Sequence, residues 1–267
     1  MTDNKVTMMT HTFAIGGDLT VNRLGYGAMR LTGKPGNFGP YPDWQGGVSL
    51  LRRAHDLGVT FFDSAYAYGP ETADQIVGEA LEGRNAVIAT KGGVDKKGPG
   101  QILINGSRDE LHRQIDRALI NLRRDQIDLF QLHRIDPNVP IEVSVQALAE
   151  AKADGRIRHI GLSNVTRFDL DRALTVAPIA SVQNRFNLEE TGDDALVDYT
   201  AKRGIAFIPY GPLGAHPMRQ GATLAPKEAL SWLLDRSANI IVIPGTTSIA
   251  HLEENMGAAD RFEREAA

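Results

Sequence analysis

The sequence predicts an α/β fold, a (β/α)8 TIM barrel preceded by a short N-terminal β-hairpin, on three observations. Short runs rich in Val, Ile, Phe and Leu alternate with longer segments of 3.6-residue apolar period, as strands alternating with helices do. Several runs, such as Ile240-Ile241-Val242-Ile243, have no polar face, which a parallel sheet covered on both sides requires. The alternation occurs eight times in a chain of 267 residues that no linker or low-complexity stretch divides. One barrel domain over residues 11–260 is therefore expected, with a flexible N-terminus over 1–10 and a short tail over 261–267. A doubly wound open sheet is the alternative, although eight equal units seldom occur in one without a second domain.

Residues 12–15 and 19–21 flank Gly16-Gly17-Asp18, a hairpin turn signal. The strand runs follow at 23–28, 60–65, 86–91, 128–133, 159–164, 181–186, 206–211 and 240–245. The periodic segments 47–57, 72–82, 107–122, 141–153, 167–176, 194–203, 226–236 and 248–258 read as helices. Their ends carry boundary signals. Ser107 and Glu110 have capping-box spacing, Gly58 and Gly204 stand at helix ends, and Pro226 suits a first helical turn.

Composition narrows the function classes. With 29 basic against 33 acidic side chains, a net charge of −4 and only isolated basic doublets, the chain lacks a surface for neutralising phosphates, so no nucleic-acid partner is expected. No cysteine is present, which removes disulfides, thiolate metal sites and thiol nucleophiles and suits a reducing compartment. No apolar run approaches the ~20 residues of a membrane span, and residues 1–10 lack a signal-peptide core. A cytoplasmic protein with no membrane partner is expected. His55, His112, His159 and His216 fall at no metal-ligand spacing, so no metal is expected either.

A barrel places its chemistry where strands end, which directs attention to the polar residues closing each run. Asp63 ends the second run and Tyr68 follows five residues on; Lys91 ends the third and His133 the fourth. Ser163 and Asn164 end the fifth, Gln183 and Asn184 lie in the sixth, and Tyr210 is near the end of the seventh. Singly, Asp63 and Lys91 read as a structural ion pair, His133 as a hydrogen-bonded strand end, and Tyr68 as packing. Four ionisable groups on one rim would be costly to desolvate without a use. Lys96-Lys97 reads as a solvated turn, and Phe38 and Trp44 as either core cover or pocket wall.

At these positions the sequence resembles the aldo-keto reductases, which are (β/α)8 barrels with a catalytic tetrad of Asp, Tyr, Lys and His. The matching segments are Phe62-Asp63-Ser64-Ala65-Tyr66-Ala67-Tyr68-Gly69, Ala89-Thr90-Lys91, Leu132-His133, Gly161-Leu162-Ser163-Asn164 and Ile243-Pro244-Gly245-Thr246-Thr247. Residues 22–29, Asn37-Phe38-Gly39-Pro40 and 251–255 look most like the bacterial pyridoxal-reductase-like members. The resemblance implies that Asp63, Tyr68, Lys91 and His133 are catalytic, with Tyr68 rather than Tyr66 the phenol because five residues separate it from Asp63. It further implies a cofactor strip of Gly27, Ala28, Met29, Ser163, Asn164, Gln183, Tyr210, Gly211, Pro212, Leu213, Gly245, Thr246, Thr247, His251, Glu254 and Asn255. Within that strip Ser163, Asn164 and Gln183 meet the carboxamide and Tyr210 stacks on the ring.

The chemistry follows from the groups. Carbonyl reduction needs a proton at oxygen, and a phenol of pKa about 10 is a poor acid unless neighbours tune it. Lys91 would lower that pKa, Asp63 would keep Lys91 charged, and His133 would donate to the carbonyl oxygen. NADPH is the expected cofactor, with NADH as the alternative: the resemblance implies basic side chains at positions that hold Gly245 and His251, while Thr246, Thr247, Ser248 and a helix N-terminus supply donors for a phosphate. The expected partner is a small carbonyl substrate, and the expected assembly a monomer. The loop at 134–140 is short and little chain follows residue 260, so an open pocket of broad acceptance is expected. Two rival readings are a non-catalytic cofactor-binding regulator on the same scaffold and a Schiff-base aldolase using Lys91.

Overall fold

Runs without a polar face need cover on both sides, and they find it in the computed structural model, which describes residues 11–213 and 225–258. The strands are β1 (Thr12–Ile15), β2 (Leu19–Asn22), β3 (Tyr26–Gly27), β4 (Phe61–Asp63), β5 (Val87–Gly92), β6 (Val94–Gly98), β7 (Gln101–Ile104), β8 (Ile127–Leu132), β9 (Ile157–Ser163), β10 (Ser181–Gln183) and β11 (Ala206–Phe207). The helices are α1 (Trp44–Asp56), α2 (Thr72–Leu81), α3 (Arg108–Leu122), α4 (Ile141–Ala153), α5 (Arg167–Leu174), α6 (Asp194–Ala201), α7 (Pro226–Arg236) and α8 (Ile249–Met256). Strands β3, β4, β5, β8, β9, β10 and β11 form one parallel sheet in that order. The expected termini outside the barrel, and His216, lie outside the described residues.

The eighth run closes the ring without a regular ladder. Ile240 bridges Phe207 and Val242 bridges Leu24, each as a single parallel pair. Arg23, almost fully buried, stitches the same seam: Nε donates to the Ile240 carbonyl at 2.9 Å, and a terminal nitrogen to those of Leu234 and Ser237 at 2.6 Å each. At the rim end of the seam a Cβ on Gly27 would lie 2.7 Å from the Ile243 carbonyl oxygen, and one on Gly245 2.6 Å from that of Gly27, so glycine alone fits at either position. Arg23→Leu keeps apolar bulk but leaves three carbonyls without their donor. It should lower stability by about 3 kcal/mol or more, read as a shift in urea midpoint at constant slope.

Two apolar layers result. One lies between sheet and helices, and the other fills the barrel with Phe61, Ala89, Leu129, Ala180, Ile208 and Ile241, plugged from below by Ile15, Leu19 and Val21 of the N-terminal hairpin. Asp18 at the hairpin tip anchors that plug to Arg158 at 2.8 Å and to His159 at 2.6 Å.

Local signals decide most helix ends. Gly58 and Gly204 take positive φ at 95° and 66°, and Pro226 opens α7. The Ser107 capping box does not form. Glu110 instead binds Arg113 and Gln114, both at 2.6 Å, while a capping box joins Thr166 and Asp169 at the start of α5. Trp44 opens α1, packs against the outer core and donates to Glu79 at 2.9 Å, so it is cover rather than pocket wall. The segment read as a solvated turn around Lys96 is the antiparallel hairpin of β6 and β7.

Candidate active site

Side chains alternate across a strand, so residues two apart share a face. Phe61, Ala89, Leu129 and Ser181 point inward, and two residues nearer the rim Asp63, Lys91, Gln131 and Gln183 form the next inward layer. Lys91 Nζ donates to Asp63 Oδ2 at 2.6 Å and to the Ser64 carbonyl at 2.7 Å. Asp63 Oδ1 accepts from Gln183 at 2.9 Å and Gln131 at 3.2 Å. The two charged side chains are 0% and 2% exposed, and burial at that depth is tolerated because each charge has an opposite partner and further hydrogen bonds. Burial works against the Lys91 charge, but the Asp63 carboxylate and the Tyr68 phenol outweigh it and hold the pKa above the ordinary lysine value.

Tyr68 reaches this pair from the loop after β4, where its N–H donates to the Ala65 carbonyl at 3.0 Å and Gly69 turns with φ 103°. Lys91 Nζ stands 5.2 Å from the centroid of its ring. The sequence predicts a phenol tuned downward; here burial dominates and raises the Tyr68 pKa, Lys91 pulls it down, and Asp63 pushes it up. The ammonium therefore offsets a desolvation penalty rather than producing a net drop. Tyr66 faces away, its hydroxyl accepting two 3.3 Å bonds from Arg113.

His133 stands edge-on to the Tyr68 ring, centroids 5.9 Å apart. Burial, then the positive charges of Lys91, Arg134 and Lys96, hold its pKa well below the ordinary histidine value, so the imidazole is neutral at pH 7. Nδ1 is buried with no hydrogen-bond partner among the described residues.

These groups open on a cavity of about 500 Å³. Of the expected cofactor strip, Gly27, Met29, Ser163, Asn164, Gln183, Tyr210, Gly211, Pro212, Leu213 and Gly245 line it. Ala28 lies in the outer core, and Thr246, Thr247, His251, Glu254 and Asn255 lie outside the lining, the last three on α8. The polar members are partly committed. Asn164 donates to the His133 carbonyl at 3.1 Å and accepts the Tyr210 hydroxyl at 2.8 Å, and Gln183 directs its amide nitrogen at Asp63 rather than into the cavity. The donor and acceptor atoms of Ser163, Asn164 and Gln183 beside the Tyr210 ring fit an amide-bearing flat ring.

Several contributors escape sequence reasoning. Gln131 has the parity of His133 and could have been found by counting back two residues. Asp74, buried in α2 with its pKa pushed up by burial to about 6, accepts the Thr90 hydroxyl at 3.0 Å, and nothing local marks it. Arg30, Lys96, Arg134 and Arg185 also line the cavity.

The comparisons agree with this geometry. The model of the Aldo/keto reductase family matches residues 23–227. Pyridoxine 4-dehydrogenase of Escherichia coli K12 is 41% identical over 269 residues, covering 94% of this chain and 93% of its own. An uncharacterized oxidoreductase of Schizosaccharomyces pombe is 39% identical over 255 residues, covering 91% and 83%. In fold, the glycerol dehydrogenase of Gluconobacter oxydans superposes with a TM-score of 0.81 at 24% identity over 94% of both chains. An aldo-keto reductase of Klebsiella pneumoniae in complex with NADPH superposes at 0.77, with 24% identity over 95% and 90%. Among the described residues no helix is long and apolar enough to cross a membrane. The family match over most of the chain, together with relatives of about 40% identity along nearly its whole length, shows that this barrel belongs to the aldo-keto reductases, a family of nicotinamide-dependent oxidoreductases.

Proposed function

We propose that the protein reduces small aldehydes or ketones to alcohols with NADPH, Tyr68 supplying the proton. The observation that carries this reading is the buried Asp63–Lys91 pair against Tyr68, which stands edge-on to a neutral His133, with Asp63, Tyr68 and His133 lining one cavity. When bound, the reduced nicotinamide supplies the hydride. Ser163, Asn164 and Gln183 would hold its amide and Tyr210 its ring.

A carbonyl oxygen between Tyr68 and His133 meets two donors. Nδ1 of His133 is the buried nitrogen, so Nε2 is the one that faces the oxygen and donates to it as negative charge develops. The Tyr68 proton then moves to that oxygen, and the phenolate left behind is held by the Lys91 ammonium, which Asp63 keeps charged. The same charge opposes the aldolase reading, since a Schiff-base lysine must be partly neutral. The complete tetrad favours catalysis over a purely regulatory role. The relative named pyridoxine 4-dehydrogenase supports alcohol–carbonyl redox chemistry.

The test is a panel of carbonyls followed at the nicotinamide absorbance band with each reduced cofactor. Carbonyl-dependent oxidation of NADPH is the expected result; none with any carbonyl, together with trapping of a substrate adduct by borohydride, would favour the aldolase. NADPH is preferred on the strength of the α8 entrance: Ser248 caps the helix through the His251 N–H at 3.4 Å, and the His251 side chain is exposed there. His251→Ala should weaken NADPH binding roughly fivefold more than NADH binding, the scale of one exposed charge-assisted contact of about 1 kcal/mol. Equal losses for the two cofactors would show that His251 does not read the 2′-phosphate.

A further inference from the structure

The cavity has an unbalanced charge that the reaction above does not use. Arg30, Lys96, Arg134 and Arg185 line it, and the one lining carboxylate among the described residues, Asp63, is already matched by Lys91. Arg185 is neutralised by Glu190 at 2.5 Å. Arg30 and Arg134 have no hydrogen-bond or ion-pair partner among the described residues, and Lys96 donates only to the carbonyls of Gly36 and Asn37, at 2.9 and 3.1 Å. Many arginines elsewhere on this barrel are matched to carboxylates, among them Arg53 to Glu253, Arg84 to Asp56, Arg117 to Glu71 and Arg172 to Glu142. The cavity thus gathers three cations, Arg30, Lys96 and Arg134, that have no carboxylate partner among the described residues.

Lys96 and Arg134 stand on segments outside the proposed cofactor strip, whereas Arg30 directly follows Met29 of that strip. Lys96 belongs to the hairpin that follows Lys91, and Arg134 is the residue after His133, so both follow the two strands that end in the proton-handling groups. Both raise the positive potential at His133 itself. The cavity-lining part of the cofactor strip, by contrast, lies at 27, 29, 163–164, 183, 210–213 and 245. Val94 and Ile102, on the same hairpin as Lys96, add apolar lining to the cavity.

Resting on the reductase reading, we propose that the preferred substrates are anionic carbonyl compounds, an aldehyde or ketone carrying a carboxylate or phosphate that Lys96 and Arg134 receive. A guanidinium and an ammonium without carboxylate partners bind such a group with charge-assisted hydrogen bonds and need break no existing ion pair to do so. A neutral substrate offers them no opposite charge and gains nothing from them.

The test compares 4-carboxybenzaldehyde with its methyl ester, which share ring and aldehyde and differ in charge. The acid should have at least about tenfold higher kcat/KM, and Arg134→Gln and Lys96→Gln should each lower the acid-over-ester ratio about fivefold or more, mainly through KM. Cofactor binding, read by fluorescence titration, should lose less than the acid does. An ester used as well as the acid overturns the proposal. So does a loss in both variants that falls on the cofactor, which would assign these cations to its phosphates. If neither aldehyde turns over, the reductase reading fails separately, and calorimetry with oxidised cofactor present decides the anion site. Tighter binding of the acid than of the ester, weakened by Arg134→Gln, sustains it, and equal binding refutes it.

Discussion

Tyr68→Phe should lower turnover by at least the ~10²–10⁴-fold that a positioned general acid contributes. The substitution keeps the ring, and with it the edge contact to His133, so packing is preserved. Lys91 loses the phenol but keeps Asp63 and the Ser64 carbonyl, so the buried pair stays satisfied and the fold should hold. What disappears is the transferable proton and the oxygen that Lys91 stabilises when charge develops. Cofactor affinity should hardly move. Steady-state kinetics at saturating cofactor read the effect, and near-normal turnover would end the assignment. Tyr66 could not easily substitute, because Arg113 already occupies its hydroxyl and it lies outside the cavity lining.

Lys91→Met should be comparably damaging to activity, with a second signature in pH. Three influences act on Tyr68: burial raises its pKa, Lys91 lowers it and Asp63 raises it. Removing Lys91 deletes the downward one, so the phenol pKa rises further. In the reducing direction the limb on which Tyr68 loses its proton should move to higher pH. In the oxidising direction, where the phenolate is the required base, activity should demand more alkaline conditions or vanish. The single variant also leaves the Asp63 carboxylate buried with only two amide donors, a loss of about 3–5 kcal/mol by analogy with other broken buried pairs. The double variant Lys91→Met with Asp63→Asn removes both charges and serves as the folded control. An unchanged pH profile in a folded Lys91→Met protein would show that another group tunes Tyr68, while the double variant, which loses both opposing charges, should shift less.

The sequence by itself determined the alternation of strands and helices, because periods of 2.0 and 3.6 residues are local properties of apolar spacing. It also marked the ends of the runs, and with them Asp63, Lys91 and His133, since a charged residue closing an apolar strand is visible without any neighbour. Tyr68 was legible only through the family resemblance, which sets five residues between it and Asp63. Only the tertiary structure decided what each group experiences. The closure of the ring by single bridges and Arg23, the amides of Gln131 and Gln183 on Asp63, and the Asp74 carboxyl beneath Thr90 all join residues far apart in the chain. Ser107 had the capping spacing, yet Glu110 found better partners in Arg113 and Gln114. Lys96 looked like a solvated turn because nothing in its own segment reveals that a hairpin folds it over the cavity. The net upward shift of Tyr68 escaped for the same reason: a spacing names the neighbouring charge, while desolvation depends on how much of the whole barrel closes around the hydroxyl.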